Sequence, residues 1–213
     1  MTSSQRSIKA VIFDYDGTLA DSFELSVRVA GAILGRHFSA DEITDLRQHS
    51  MREVIKILRI RAWQLPRLLA RGRRELDRRQ DEIPVFDGIP GELRALHSLG
   101  YQLYIVSSHS TQGIEVFLRR HGIDQYIDRV YGNVGLFGKQ RVIKKLQRQF
   151  HLRSDECVYV GDEVRDIEAA AQCGMACLAV TWGFNAAQVL GGHHPQALIE
   201  KPQDLTAVIT QLH

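Results

Sequence analysis

A chain of 213 residues with 44% hydrophobic and 24% charged residues has the make-up of a soluble globular protein, with room for one substantial core and a smaller appendage. Its net charge of +2 selects neither acidic nor basic partners, and no apolar run approaches the roughly 20 residues of a membrane helix. Residues 1–6 carry no hydrophobic signal region, so a cytoplasmic location is expected.

In chain order, residues 8–13 are short, apolar and β-branched, which predicts a buried strand. That strand empties into Asp14-Tyr15-Asp16-Gly17-Thr18-Leu19, two carboxylates one residue apart followed by a glycine. Residues 21–84 predict no strand; apolar spacings of three and four mark helices at 25–34, 51–58 and 66–79. This helical insertion holds 13 Lys and Arg against 10 Asp and Glu, and six of its arginines fall between Arg67 and Arg79. A solvated helix face is the plain reading of those charges, and a field that attracts anionic substrates the sharper one. Few aromatics are interleaved with the arginines, so nucleic acid is not an expected partner. The breaker-rich stretch 83–91 returns the chain to the core. Strands then follow at 102–106, 157–160 and 175–180, separated by helices at 91–98, 113–121, 139–150 and 164–173.

Strands alternating with helices imply crossover units and a parallel sheet, whose strands are buried on both faces and so do not alternate in polarity. The expected fold class is α/β: a Rossmann-like parallel core from residues 1–20 and 85–213, with an inserted α-helical domain at 21–84. The three cysteines, Cys157, Cys173 and Cys177, are an odd, sparse set that reads as small buried apolar residues in a reducing compartment.

Ligands of open parallel sheets bind beyond the carboxyl ends of the strands. Four polar signals fall at such ends: Asp14 and Asp16; Ser107 and Ser108; Lys139, opening a helix after Gly138; and Asp162, with Asp166 one helical turn later. Carboxylates gathered at one place repel one another unless a cation is present, and without His or Cys among them the donors are hard oxygens, which favours Mg²⁺. A serine hydroxyl and a lysine ammonium are the complement of a phosphoryl group, and a remaining carboxylate can attack phosphorus. The Gly138-Lys139 step is not a nucleotide-binding loop, because Asn133 stands where its first glycine belongs and Gln140 where Ser or Thr belongs. Three plainer readings stand beside these: Ser107 and Ser108 as caps of the helix near Thr111, Lys139 as one of three surface lysines with Lys144 and Lys145, and His109 as an exposed loop histidine.

Asp14-Tyr15-Asp16-Gly17-Thr18-Leu19, Val106-Ser107, Lys139 and Gly161-Asp162-Glu163-Val164-Arg165-Asp166 resemble the four signature motifs of the haloacid dehalogenase superfamily, in order and over nearly the whole chain. Val180-Thr181-Trp182-Gly183-Phe184 resembles the corresponding segment of phosphoglycolate-phosphatase-like members, and the helical insertion is similar to that family's small cap. The resemblance implies that Asp14 is the nucleophile and that Asp16 protonates the leaving alkoxide and then deprotonates water. It implies that Ser107, with nearby backbone N–H groups, and Lys139 hold the phosphoryl group. Asp14, Asp162, Asp166 and the backbone carbonyl of Asp16 would hold Mg²⁺, and Arg52, at a helix start in the insertion, would read the substrate. The plainer reading of Arg52 is a surface arginine paired with neighbouring acids.

An acid two residues after the nucleophile favours phosphate esters over halides, since an alkoxide needs a proton and a halide does not. Ser108-His109 stands where relatives often carry asparagine and lysine, and Glu163 where a small hydroxyl residue is common; adjacent carboxylates such as Asp162 and Glu163 usually point apart. The expected activity is hydrolysis of a small phosphorylated metabolite, phosphoglycolate-like or a sugar phosphate, by a monomer or homodimer. The alternatives are a phosphomutase, which often carries two acids at the Gly161-Asp162 position, and a non-catalytic regulatory member, which would have no need of Asp16.

Overall fold

Residues Ala10–Phe13 form β1, and all four are completely buried. The computed structural model describes residues 8–212, so the reading made above for residues 1–6 lies outside them. Four helices follow β1: α1 (Phe23–Leu34), α2 (Ala40–Leu46), α3 (Met51–Ile57) and α4 (Leu65–Arg78). The chain then runs α5 (Ile89–Ser98), β2 (Gln102–Val106), α6 (Thr111–Arg120), β3 (Arg129–Tyr131), α7 (Lys139–Gln149), β4 (Cys157–Gly161), α8 (Val164–Gln172), β5 (Ala176–Val180), α9 (Ala187–Gly192), β6 (Ala197–Ile199) and α10 (Leu205–Thr210).

The strands make one parallel sheet in the order β3-β2-β1-β4-β5-β6. Successive residues of each strand go to opposite faces, and both faces are covered. Val11, Phe13, Ile105 and Val160 pack with Leu93 of α5, Phe117 of α6 and Ile209 of α10. Ala10, Ile12, Tyr104 and Tyr159 pack with Ile143 and Leu146 of α7 and Ala170 of α8 on the other face. The unbroken apolar runs follow from this double burial. Edge strands β3 and β6, three residues each, were not predicted; runs that short hold too little periodicity to read. All three cysteines are free and buried, and burial pushes the Cys157 thiol up to about 12.

The insertion begins and ends at one place. Asp21 N–H donates to Pro84 O at 2.9 Å and Phe86 N–H to Leu19 O at 3.2 Å, so the two connecting segments lie side by side. Helix α2 was missed from apolar spacing, yet Ser39 and Glu42 form a capping box at its start: Glu42 N–H donates to Ser39 Oγ at 3.1 Å, and Ser39 N–H to Glu42 Oε2 at 2.9 Å. Ser50 and Glu53 repeat the device on α3. No helix of the described residues is long and apolar enough to cross a membrane.

The chain order along the sheet reverses at β1, which lies between β2 and β4. The crevice beyond the carboxyl ends of β1 and β4 is therefore where the fold presents a ligand site.

Candidate active site

Phe13 pairs with Val160, and Asp14 N–H continues the ladder by donating to Val160 O at 2.8 Å. This register sets Asp14 at the end of β1 and Asp162 just past the end of β4, on adjacent strands. Lys139, the first residue of α7, lies 2.5 Å from Asp14 Oδ2 and 2.6 Å from Asp166 Oδ1 through its Nζ. Its side chain is 2% exposed, so it is no surface lysine. Asp162 accepts from Thr18 Oγ1 at 2.8 Å and from Phe184 N–H at 2.7 Å. Oxygens of Asp14, Asp162 and Asp166 all lie within 4.8 Å of one another. Two glycines make the room: a Cβ at Gly17, whose φ is +75°, or at Gly183 would overlap the Asp162 carboxylate.

Four buried carboxylates, Asp14, Asp162, Glu163 and Asp166, face two cations, Lys139 and the nearly buried Arg165. Burial, and then repulsion from Glu163, Asp14 and Asp166, hold the Asp162 carboxyl well above the usual carboxylate range. Burial also lifts Asp166, against the pull of Lys139, to about 6. Burial alone would lower the Lys139 ammonium, but Asp14 and Asp166 outweigh it and raise it. The site is short of positive charge, its donors are carboxylate oxygens, and no histidine or cysteine belongs to the triad. Those features fit a hard divalent cation such as Mg²⁺.

Asp16 belongs to a second network. Ser22 Oγ donates to its Oδ1 at 2.7 Å, and His109 Nδ1 lies 3.1 Å from its Oδ2. The imidazole is fully buried, and its Nε2 lies 3.3 Å from Asp77 Oδ1 on α4. Burial alone would lower His109, yet Asp16 and Asp77 outweigh it and push it up to about 9; in return the imidazolium and Ser22 hold Asp16 below its ordinary value despite its burial. Gln80 Nε2 approaches the same His109 nitrogen at 3.3 Å and donates to Tyr15 Oη at 3.0 Å.

The structure thus brings Asp14, Lys139, Asp162 and Asp166 into one cluster with Asp16 beside it. Ser107 follows β2, next to β1, with its N–H bonded to Tyr131 O and its Oγ accepting from His109 N–H at 3.1 Å. Ser108 is half-buried and faces the helical insertion. Neither serine caps α6, so the plainer reading of the pair does not hold; Ser110 does, through Gly113 N–H at 2.9 Å, because the loop runs two residues further before turning helical. His109 is buried rather than exposed, because acids from two other segments meet its ring. Arg52 does not reach the carboxylates: it lies 3.8 Å from Glu168 on α8 and stacks over the Phe137 ring at 4.9 Å. Arg165 and Glu163 were not assigned to the site. Arg165 Nη2 lies 2.5 Å from Glu163 Oε1 and 3.9 Å from Asp14 Oδ2, so their mutual pairing keeps both beside Asp14.

Comparison with known proteins agrees with this architecture. The sequence model of the haloacid dehalogenase-like hydrolases matches residues 11–180. A phosphoglycolate phosphatase of Synechococcus elongatus is 38% identical over 96% of this chain and 99% of its own. A 5'-nucleotidase of Pseudomonas aeruginosa is 29% identical over 87% of this chain and 88% of its own. Among solved structures, that of a predicted phosphatase from Clostridium acetobutylicum superposes with a TM-score of 0.81 at 22% identity, covering 97% of this chain and all of its own, a likeness of fold. The chain belongs to the haloacid dehalogenase-like hydrolases. Within that family it groups with the phosphatases.

Proposed function

We propose that this phosphatase hydrolyses a small phosphate monoester through an aspartyl phosphate on Asp14. The observation that carries the reading is the division between the two acids: Asp14 is held by Lys139 in the metal-competent cluster, while Asp16 is held outside it by Ser22 and His109. A carboxylate oxygen of Asp14 attacks phosphorus, and the ester P–O bond breaks as Asp16 passes to the departing alkoxide a proton drawn from the His109 imidazolium paired with it. Asp16 then takes a proton from water, whose oxygen attacks the same phosphorus; the bond to Asp14 breaks and orthophosphate leaves. Ser107 and Lys139 hold the phosphoryl oxygens in both steps. Asp14, Asp162, Asp166 and the backbone carbonyl of Asp16 would hold Mg²⁺, which when bound offsets the charge of the phosphoryl oxygens.

Residues 21–84 serve as a cap over a core of residues 1–20 and 85–213, hinged where Asp21 meets Pro84, and cap closure excludes bulk water. Ser108 borders the leaving group. Arg52, bound to Glu168, acts in closing cap on core rather than in holding the phosphoryl group.

The two roles of Asp16 separate in one experiment. Asp16→Asn is expected to lower steady-state turnover by about 10²–10⁴-fold. With p-nitrophenyl phosphate, whose leaving group needs no proton, it should still release one equivalent of nitrophenolate in a rapid burst and then stall as phosphoenzyme. Wild-type turnover, or a slow variant without a burst, would count against the mechanism.

Metal binding is checked by thermal melts. Asp166 is raised from 3.8 to about 6 in the folded chain, so the folded state holds the extra proton between those values. Stability of the chelated protein should therefore fall as pH rises through 6, by on the order of 3 kcal/mol from this group. Mg²⁺ should restore it, with a gain larger at pH 7.5 than at pH 5. Melts indifferent to Mg²⁺ at both pH values would remove the metal from the reading.

A further inference from the structure

Helices α2 and α4 do not bury a single residue completely, although both are amphipathic. Their apolar faces, with those of α1 and α3, turn instead onto a cleft of about 310 Å³. Ala30 and Ile33 of α1, Ile43 of α2, Ile55 of α3 and Leu69 of α4 contribute to its walls. Protein interiors hold few voids larger than a water molecule, and a dry cavity of about 150 Å³ lined by such residues already accepts benzene. A cleft of this size is in the range of ligand sites rather than of packing faults.

The core contributes Asp16, Ser108 and His109 to the lining of the cleft, with Leu136 and Phe184 beside them. Asp16 is the acid that meets the leaving oxygen, so an ester whose phosphorus lies at Asp14 directs its alcohol portion into this space. The chemistry of the walls then selects the alcohol. Among the lining residues only Asp16, His109 and Arg73 carry charge, and the first two are already paired with each other. Ser26 and Ser108 are the hydroxyl donors. A sugar or nucleoside would lose its hydration there with few partners to replace it, and a second anionic group would find Arg73 as its one cation not held by a carboxylate in the cleft.

We infer that the substrate is the phosphate monoester of an apolar alcohol, whose hydrocarbon portion occupies this cleft. The inference rests on the phosphatase reading and names the substrate class within it.

The test compares kcat/KM, with Mg²⁺, for methyl, butyl, hexyl and octyl phosphate and for 2-phosphoglycolate, with p-nitrophenyl phosphate as a control. Each buried methylene is worth roughly fourfold, so hexyl phosphate should exceed methyl phosphate by about 100-fold or more. 2-Phosphoglycolate should fall below butyl phosphate. Ala30→Phe, which fills the cleft, should cut the hexyl-to-methyl ratio at least about tenfold. Competitive inhibition by hexylphosphonate and methylphosphonate on the wild-type enzyme gives the same ratio without relying on a variant. Turnover of the control with a flat chain-length series, or a preference for 2-phosphoglycolate that Arg73→Ala abolishes, overturns the apolar substrate and leaves the phosphatase standing. No turnover of any ester, the control included, overturns both.

Discussion

Asp14→Asn is expected to reduce kcat by at least about 10⁴-fold, the scale on which loss of a covalent nucleophile acts. An amide at this position keeps the shape of the side chain but is too weak a nucleophile to attack phosphorus. The loss should be confined to chemistry. Asp14 is one of four buried carboxyl groups in the cluster, and Asn removes repulsion against its acidic neighbours while costing the ion pair to Lys139. These effects oppose, so the melting temperature of the chelated protein should move little. Two measurements check this: phosphate release under steady state, and acid-quenched labelling with a phosphorylated substrate, which should mark the wild-type chain and not the variant. Undiminished turnover by Asp14→Asn would end the aspartyl-phosphate mechanism.

The parts of this site that could be read from the chain are those in which the signal is local. Asp14 and Asp16 follow an apolar run directly, and Asp166 stands one helical turn after Asp162, so strand end and helix start are written into a few consecutive residues. The α/β alternation was legible for the same reason, since β1, β2, β4 and β5 are buried on both faces and carry unbroken apolar runs. What was not legible depends on distant partners. His109 is 93 residues from Asp16, and its burial is decided by Asp77 arriving on a helix of the insertion. Nothing in Ser107-Ser108-His109-Ser110 announces that meeting. Arg165 drew no assignment from the sequence, because its place is set by Glu163 and Asp14 converging on it. Arg52 shows the converse: its helix-start position is legible in the sequence, while its contacts with Glu168 and Phe137 depend on distant segments. Helix α2 is a different case: its Ser39–Glu42 box is written in the sequence, while a helix of seven residues is too short for apolar spacing to mark it.

The same coupling of charge and chemistry makes Lys139→Met damaging to stability and to turnover at once. Methionine nearly matches the length of the lysine stem, so packing against the Tyr159 ring, 5.5 Å from the ammonium, is largely kept. What goes is the one cation that touches both Asp14 and Asp166, in a place where its side chain is 2% exposed. Breaking a buried ion pair by removing one partner typically costs about 3–5 kcal/mol, because the other charge stays behind without compensation. For a chain of this size that corresponds to a fall in melting temperature of roughly 10 °C in chelator. Mg²⁺ should recover part of the stability, since it supplies positive charge to the same carboxylates. It should not recover activity, because the ammonium that holds the nucleophile and the phosphoryl oxygens is gone; a loss of about 10³-fold in kcat is expected with Mg²⁺ saturating. Lys139→Arg should not rescue turnover, since a planar fork cannot replace a point charge set between two carboxylates 2.5 and 2.6 Å away. Adding Asp166→Asn to Lys139→Met removes one of the stranded charges, so the double variant should be more stable than the single one while remaining inactive. Wild-type kcat in a destabilised Lys139→Met enzyme would reduce this lysine to a counter-charge and remove it from the reaction.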